Sequence, residues 1–380
     1  MATIRSMRSP RGRTVDHARL NRLVEDGAAV LLTGPSGTGK STTISAMAGR
    51  AEEAGLRVVS VFPNAARADT AMGALSLAFG RELAESGGHE SHLRLAGSDD
   101  LDVLAIDDIH LMDRPGVDAV CHIIEQTGIA VVMTHAAEAP IVDELARTLD
   151  RLQVDVVRLD NLAPNDVAEL AQDVLGEDLA PAAAEEVVRL TGGNPRLITH
   201  LLRAARDEDT LAASAEGVTL TAVPLAHGEI QTAIAHLTAG LEADHLESLQ
   251  RIAATGPAPT DELAPTTDDH ALTRLEDSGL VHFRPVGRRL LAEVTTPLVR
   301  DGILASMSSR LLRSLRADAA THIATADATD RSDQIRLATW SLTGAVTATP
   351  HDLATAADFA FEAGDLATAA ALSSAAFDAE

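Results

Sequence analysis

Gly34-Pro35-Ser36-Gly37-Thr38-Gly39-Lys40-Ser41-Thr42 follows directly on the apolar run 28–33 and opens a stretch of helical character. That order confines the local fold. A strand must run into a glycine-bent turn and from there into a helix, and the spelling Gly-x-x-x-x-Gly-Lys-Ser is that of a phosphate-binding loop. At such a turn backbone N–H groups and the positive end of the helix dipole converge on an anion. Lys40 is also the only lysine in the chain, all other Lys/Arg positions being arginine. Arginine replaces lysine on most surfaces, so a lone lysine here points to a task for a compact ammonium. It reaches β- and γ-phosphate oxygens from inside a tight loop that a planar guanidinium would overfill.

Around this turn, short apolar runs alternate with helix-length segments. Runs 28–33, 57–62, 103–107, 130–134 and 154–159 read as strands, and that alternation predicts an α/β core with a parallel sheet over residues 11–160. Residues 1–10 read as a flexible basic tail. A metal-nucleotide site of this kind needs a hydroxyl at the loop and a carboxylate at the end of a neighbouring strand, because Mg²⁺ prefers hard oxygen ligands and bridges phosphates. Ser41 and Asp107 supply them, Asp107 closing the run Val103-Leu104-Ala105-Ile106. Asp108 follows directly, where hydrolytic relatives of this arrangement place the residue that orients the attacking water, usually glutamate. Aspartate is shorter by one methylene, so slow hydrolysis is expected. Thr134 ends the fourth strand, which should lie between the other two motif strands, and its hydroxyl is a candidate to sense a γ-phosphate; a polar strand end with no ligand is the alternative. His110 and His135 have no partner spacing that makes a metal site and read as ordinary loop histidines.

Residues 161–206 turn purely helical and read as a lid, with Thr191-Gly192-Gly193-Asn194-Pro195 inside it, and residues 207–227 read as a linker. Three helical segments and two short strands around Pro285-Val286-Gly287 spell a winged helix over 228–300. Residues 301–380 are alanine- and leucine-rich helices, the last pair split by Gly364-Asp365, and read as the start of a TPR-like repeat region. One pair cannot stack into a solenoid, so the sequence is expected to be the front of a longer protein.

A net charge of −25 opposes unspecific binding to a phosphate backbone. The expected third helix of the winged-helix region carries Asp268, Asp269, Glu276 and Asp277 against Arg274, so direct DNA binding is not expected. Cys121, the single cysteine, makes no internal disulfide and reads as a buried thiol in a reducing cytoplasm. No apolar stretch approaches the about 18 residues of a membrane span.

Together these residues resemble the STAND class of P-loop ATPases, and within it the ATPase part of large ATP-binding LuxR-type (LAL) transcriptional regulators. Gly12-Arg13-Thr14-Val15-Asp16 is similar to the family's Gly-Arg-x-x-Glu element, Ile106-Asp107-Asp108-Ile109-His110 to its Asp-Asp-x-His Walker B, and Gly193-Asn194-Pro195 to its Gly-x-Pro. The resemblance implies an adenine-side contact near Arg13 and a lid contact to the nucleotide at Pro195. It implies ATP/ADP and Mg²⁺ as ligands and an inducer or protein ligand engaged by the C-terminal helices. Two positions depart from the family: His135 stands where arginine is often found after the fourth strand, and Thr296 where histidine commonly precedes Pro-Leu. No LuxR-type helix-turn-helix occurs in the sequence.

The expected function is an ATP/ADP switch in which nucleotide sits among core, lid and winged helix and biases their packing. The alternative is an AAA-like remodelling ATPase working as a nucleotide-dependent oligomer, which needs an arginine in trans such as Arg147 or Arg151. A small-molecule kinase lacks an identifiable acceptor pocket.

Overall fold

The computed structural model describes residues 28–63, 73–79, 101–137, 139–152, 154–264, 267–325 and 330–379. Expectations for the tail and for Arg13 therefore lie outside the described residues. The described residues divide into two compact units at Ala222 and Val223, with Leu190–Gly192 counted with the second.

In the first unit five strands, β1 (Ala29–Gly34), β2 (Val58–Val61), β3 (Val103–Ile106), β4 (Ala130–Ala136) and β5 (Asp155–Arg158), form one sheet in the order β2-β3-β4-β1-β5. Every pairing is parallel. Because side chains alternate across a strand, each central strand feeds two cores. Val30, Leu32, Val103, Ala105, Ala130 and Val132 pack with Ile44 and Met47 of helix α1 (Lys40–Glu53). Leu31, Leu104, Ile106, Val131 and Met133 pack on the opposite face with α2 (Gly73–Phe79), α3 (Arg114–Gln126) and α4 (Asp143–Arg151). Burial on both faces is why these strands read as continuous apolar runs. Cys121 is buried on α3, and its desolvation pushes the thiol pKa up.

The helical segment contains α5 (Pro164–Leu175), α6 (Pro181–Thr191) and α7 (Pro195–Asp207). Within 207–227, read from the sequence as linker, the chain forms an antiparallel hairpin of β6 (Leu211–Ser214) and β7 (Gly217–Leu220). Val218 ties it to the helical segment by exchanging backbone hydrogen bonds with Asp178 at 2.8 Å and Ala180 at 3.0 Å. Its strands are four residues each and rich in small side chains, too little signal for a period of two to register.

The second unit begins with helices α8 (Gly228–Thr238) and α9 (Ala243–Thr255), followed by the two-residue strand β8 (Ala258–Pro259), the short α10 (Thr260–Leu263) and α11 (Asp269–Asp277). Strands β9 (Val281–Val286) and β10 (Arg289–Val294) form a hairpin that pairs through β10 with β8. Five helices follow, α12 (Pro297–Ser306), α13 (Ser309–Thr325), α14 (Arg331–Ser341), α15 (Pro350–Glu362) and α16 (Leu366–Asp378). Ala338, Leu353, Ala356, Ala357, Leu372 and Ala376 form the small-residue core of the last three. Among the described residues no helix is long and apolar enough to cross a membrane.

Candidate functional site

The loop between β1 and α1 bends through two left-handed glycines, Gly37 (φ 80°) and Gly39 (φ 84°), conformations that only glycine adopts without strain. Its interior is tightly bonded. Thr38 is fully buried and donates its hydroxyl to the Pro35 carbonyl at 2.8 Å. Lys40 opens α1 with its side chain turned back into the loop, Nζ donating to the carbonyls of Gly34 at 2.8 Å and Pro35 at 2.9 Å. Ser41 and Thr42, by contrast, are exposed on the first turn of α1.

Strand β4 lies between β1 and β3, as the sequence leads one to expect, so the ends of all three strands meet at one sheet edge. There the fully buried Thr134 donates its hydroxyl proton to Asp107 Oδ1 at 2.6 Å and accepts the backbone N–H of Asp108 at 2.7 Å. In this arrangement its one proton is directed at Asp107, so Thr134 fixes which way Asp107 faces and holds Asp108 in place. Asp108 takes a left-handed backbone (φ 53°, ψ 56°), unusual for a residue other than glycine and a mark of local constraint. Burial, and then the charge of Asp107, raise its carboxyl pKa above the ordinary value, while Lys40, Arg196 and His135 act in the opposite direction.

Of the two histidines, His135 differs from the expected loop position. His135 lies on β4 and is almost fully buried, while His110 is half-buried in the turn after Asp108. Their rings meet edge to face at 5.3 Å. His110 Nδ1 stands 3.5 Å from the Ala136 N–H and 3.9 Å from Asp108 Oδ1, alternatives for a single nitrogen. Among the described residues no group of three or more His, Cys, Asp or Glu side chains is arranged to hold a metal.

The helical segment reaches the loop through the start of α7. Asn194 Nδ2 donates to the Ser36 carbonyl at 2.8 Å, and the backbone N–H of Arg196 to the Gly37 carbonyl at 3.2 Å. Pro195, half-buried, sits between these two contacts at the first position of α7. Sequence reasoning missed Arg196, a second cation whose charge is felt at Asp108. The signal was present as the residue following Gly193-Asn194-Pro195, at a helix start beside the glycine-bent loop. Arg147 and Arg151 lie on α4, paired with Glu144 and Glu125.

A threonine-to-valine change at position 134 tests the network. Losing the hydroxyl strands the Asp108 N–H and frees Asp107 to rotate, so T134V is expected to lose about 1–3 kcal/mol of stability in urea denaturation. T134S, which keeps the hydroxyl, is expected to stay within about 1 kcal/mol of the parent. Equal loss in both variants would show that the methyl group, not the hydrogen bonds, matters.

The AAA domain family matches residues 17–138. The chain contains an AAA-type P-loop ATPase domain. Solved structures similar to the chain include a point mutant of RuvB from Thermotoga maritima, at 17% identity and a TM-score of 0.40, covering 72% of this chain and 89% of that one. A STAND protein with a tetratricopeptide repeat sensor from Pyrococcus horikoshii aligns at 14% identity and a TM-score of 0.36, over 99% of this chain and 60% of that chain. AMPPCP-bound DnaA from Aquifex aeolicus aligns at 15% identity and a TM-score of 0.41, over 70% of this chain and 88% of that chain. No curated protein matches the chain.

Proposed function

We propose that the chain is an ATP/ADP-binding switch with slow Mg²⁺-dependent hydrolysis, the regulatory ATPase part of a LuxR-type transcriptional regulator. The observation that carries this reading is the meeting, at one sheet edge, of a glycine-bent loop folded around a buried lysine and the adjacent carboxylates Asp107 and Asp108. In this reading the backbone of Gly34, Pro35, Ser36, Gly37, Thr38 and Gly39, together with Lys40, Ser41 and Thr42, holds the phosphates. Arg196 adds positive charge, and Arg13 and Pro195 hold the nucleoside side. Ser41 and Asp107 are the hard oxygen donors that suit Mg²⁺, which when bound neutralises phosphate charge. Asp108 orients the attacking water, and its constrained backbone and short side chain favour slow turnover. Thr134, through Asp107 and Asp108, is a positioning residue.

We read the helices and three-stranded sheet of the second unit as a winged helix, and its last helices as the start of a TPR-like region that engages an inducer or protein ligand. The acidic helix α11 and its cap Asp268 oppose DNA binding there. Switching requires that ATP and ADP bind two arrangements of the protein with different affinity.

Asp108→Asn is the direct test of hydrolysis. Turnover is expected to fall at least about ten-fold with ATP affinity retained, because asparagine keeps the shape but is a poor base. Unchanged turnover would remove Asp108 from the reaction. The same variant is expected to be slightly more stable than the parent at neutral pH in urea denaturation. The sign follows from the raised carboxyl pKa: the folded state holds the proton more tightly than the unfolded chain, so the parent gains stability as pH falls through the folded-state value and the advantage of the variant shrinks. Turnover that climbs steeply with protein concentration would instead favour a remodelling ring.

A further inference from the structure

Asn194 is buried and all of its side-chain polar atoms are engaged. Its Oδ1 caps α7, accepting from the backbone N–H groups of Arg196 at 3.1 Å and Leu197 at 3.3 Å, while Nδ2 donates to the Ser36 carbonyl at 2.8 Å. The opposite amide orientation would set the NH₂ group against two N–H donors and the oxygen against a carbonyl, so only this one satisfies the network. The adjoining Gly37 carbonyl is held from the same side by the Arg196 N–H at 3.2 Å. Gly37 is itself shaped to this contact, since a Cβ there would lie 2.6 Å from Asn194 Oδ1 and 2.9 Å from Nδ2.

A phosphate-binding loop turns N–H groups inward to the anion, and here the Ser36 and Gly37 carbonyls are directed outward to the start of α7. Ordering such a loop costs about 1–2 kcal/mol per residue fixed, and donors that grip the outward carbonyls meet that cost before the anion arrives. We infer that Asn194 is a positioning residue that holds the Ser36–Gly37 backbone in its phosphate-accepting shape while capping α7, so that the lid helix and the loop move as one element. This rests on the reading of residues 34–42 as a phosphate site. It gives the lid a structural link to the phosphates that runs through the loop backbone, separate from any contact with the nucleoside.

The test uses Asn194→Asp and Asn194→Ser, titrated with ATP and with inorganic tripolyphosphate, alongside thermal melting without ligand. Aspartate and serine both cap helices well, so α7 is preserved. Aspartate replaces the donor to Ser36 by an acceptor, and serine is too short to reach it. Both variants are expected to lose at least about ten-fold in affinity for each ligand, with melting temperatures close to the parent. Parental affinity in either variant, or a lower melting temperature with unchanged affinity, overturns the inference by reducing Asn194 to a helix cap. A loss for ATP alone overturns it too, because the residue would then act on the nucleoside. If the parent protein binds neither ligand, the phosphate-site reading itself fails.

Discussion

Lys40→Ala is expected to lower affinity for both ATP and ADP by at least about a hundred-fold while leaving the fold intact. Charge-assisted hydrogen bonds contribute about 1.5–3 kcal/mol each, and an ammonium between two phosphate groups makes more than one, which sets the scale of the loss. The chain as a whole repels anions, with its net charge of −25, so attraction has to be supplied locally. Stability should change far less, because each carbonyl that Lys40 now bonds has another donor. Gly34 O also accepts from Ala137 N at 3.1 Å, and Pro35 O from the Thr38 hydroxyl at 2.8 Å. Lys40→Arg is expected to fail as well, since the side chain is enclosed at 6% exposure and a planar guanidinium overfills that space. Titration of a fluorescent nucleotide with a parallel thermal melt separates binding from folding. Parental affinity in Lys40→Ala would dismiss the site.

The second large effect concerns stability and lies in the second unit. Arg336 on α14 makes a two-pronged ion pair with Glu262 on α10, at 2.7 and 2.9 Å, and a further bond to Asp333 at 3.2 Å. Its Nε donates to the Thr255 carbonyl at 3.2 Å, and its guanidinium lies 4.9 Å over the Trp340 ring. The side chains of Arg336, Glu262 and Asp333 are only 9%, 8% and 3% exposed, so none can turn to water if its partner is removed. Arg336→Ala is expected to cost about 3–5 kcal/mol in chemical denaturation, mostly from carboxylates left buried without their cation. Asp333 keeps Arg289, at 2.9 Å, which makes Glu262 the group most exposed to the loss. Adding Glu262→Gln to Arg336→Ala should therefore recover part of the stability, and a double variant as unstable as the sum of the singles would show that the pair is not coupled. Nucleotide affinity is expected to remain at the parental level in all of these variants.

Much of the local geometry of the proposed nucleotide site was legible in the sequence. Gly34 to Thr42 and Asp107 lie at turns set by local pattern, a strand running into a glycine-bent loop and a strand closed by an acid, and the central position of β4 followed from the same motifs. Other features carried no local signal. The hairpin at 211–220 is too short and too rich in small residues to show a period. The burial of His135 depends on what packs over β4. Arg196 was passed over because its relation to Asp108 joins two segments far apart in the chain.

The sequence by itself determined the glycine-bent loop between strand and helix, the two-faced burial of the strands and the edge to which the acids belong, because these follow from residue conformation and from side-chain periodicity along a single element. Only the tertiary structure decided the partners. Thr134 bonds across 27 residues to Asp107, and Asn194 across 158 residues to Ser36. Periodicity states which face of an element is covered, but a hydrogen bond has a length and a direction, and only the packed chain brings donor and acceptor to the same point.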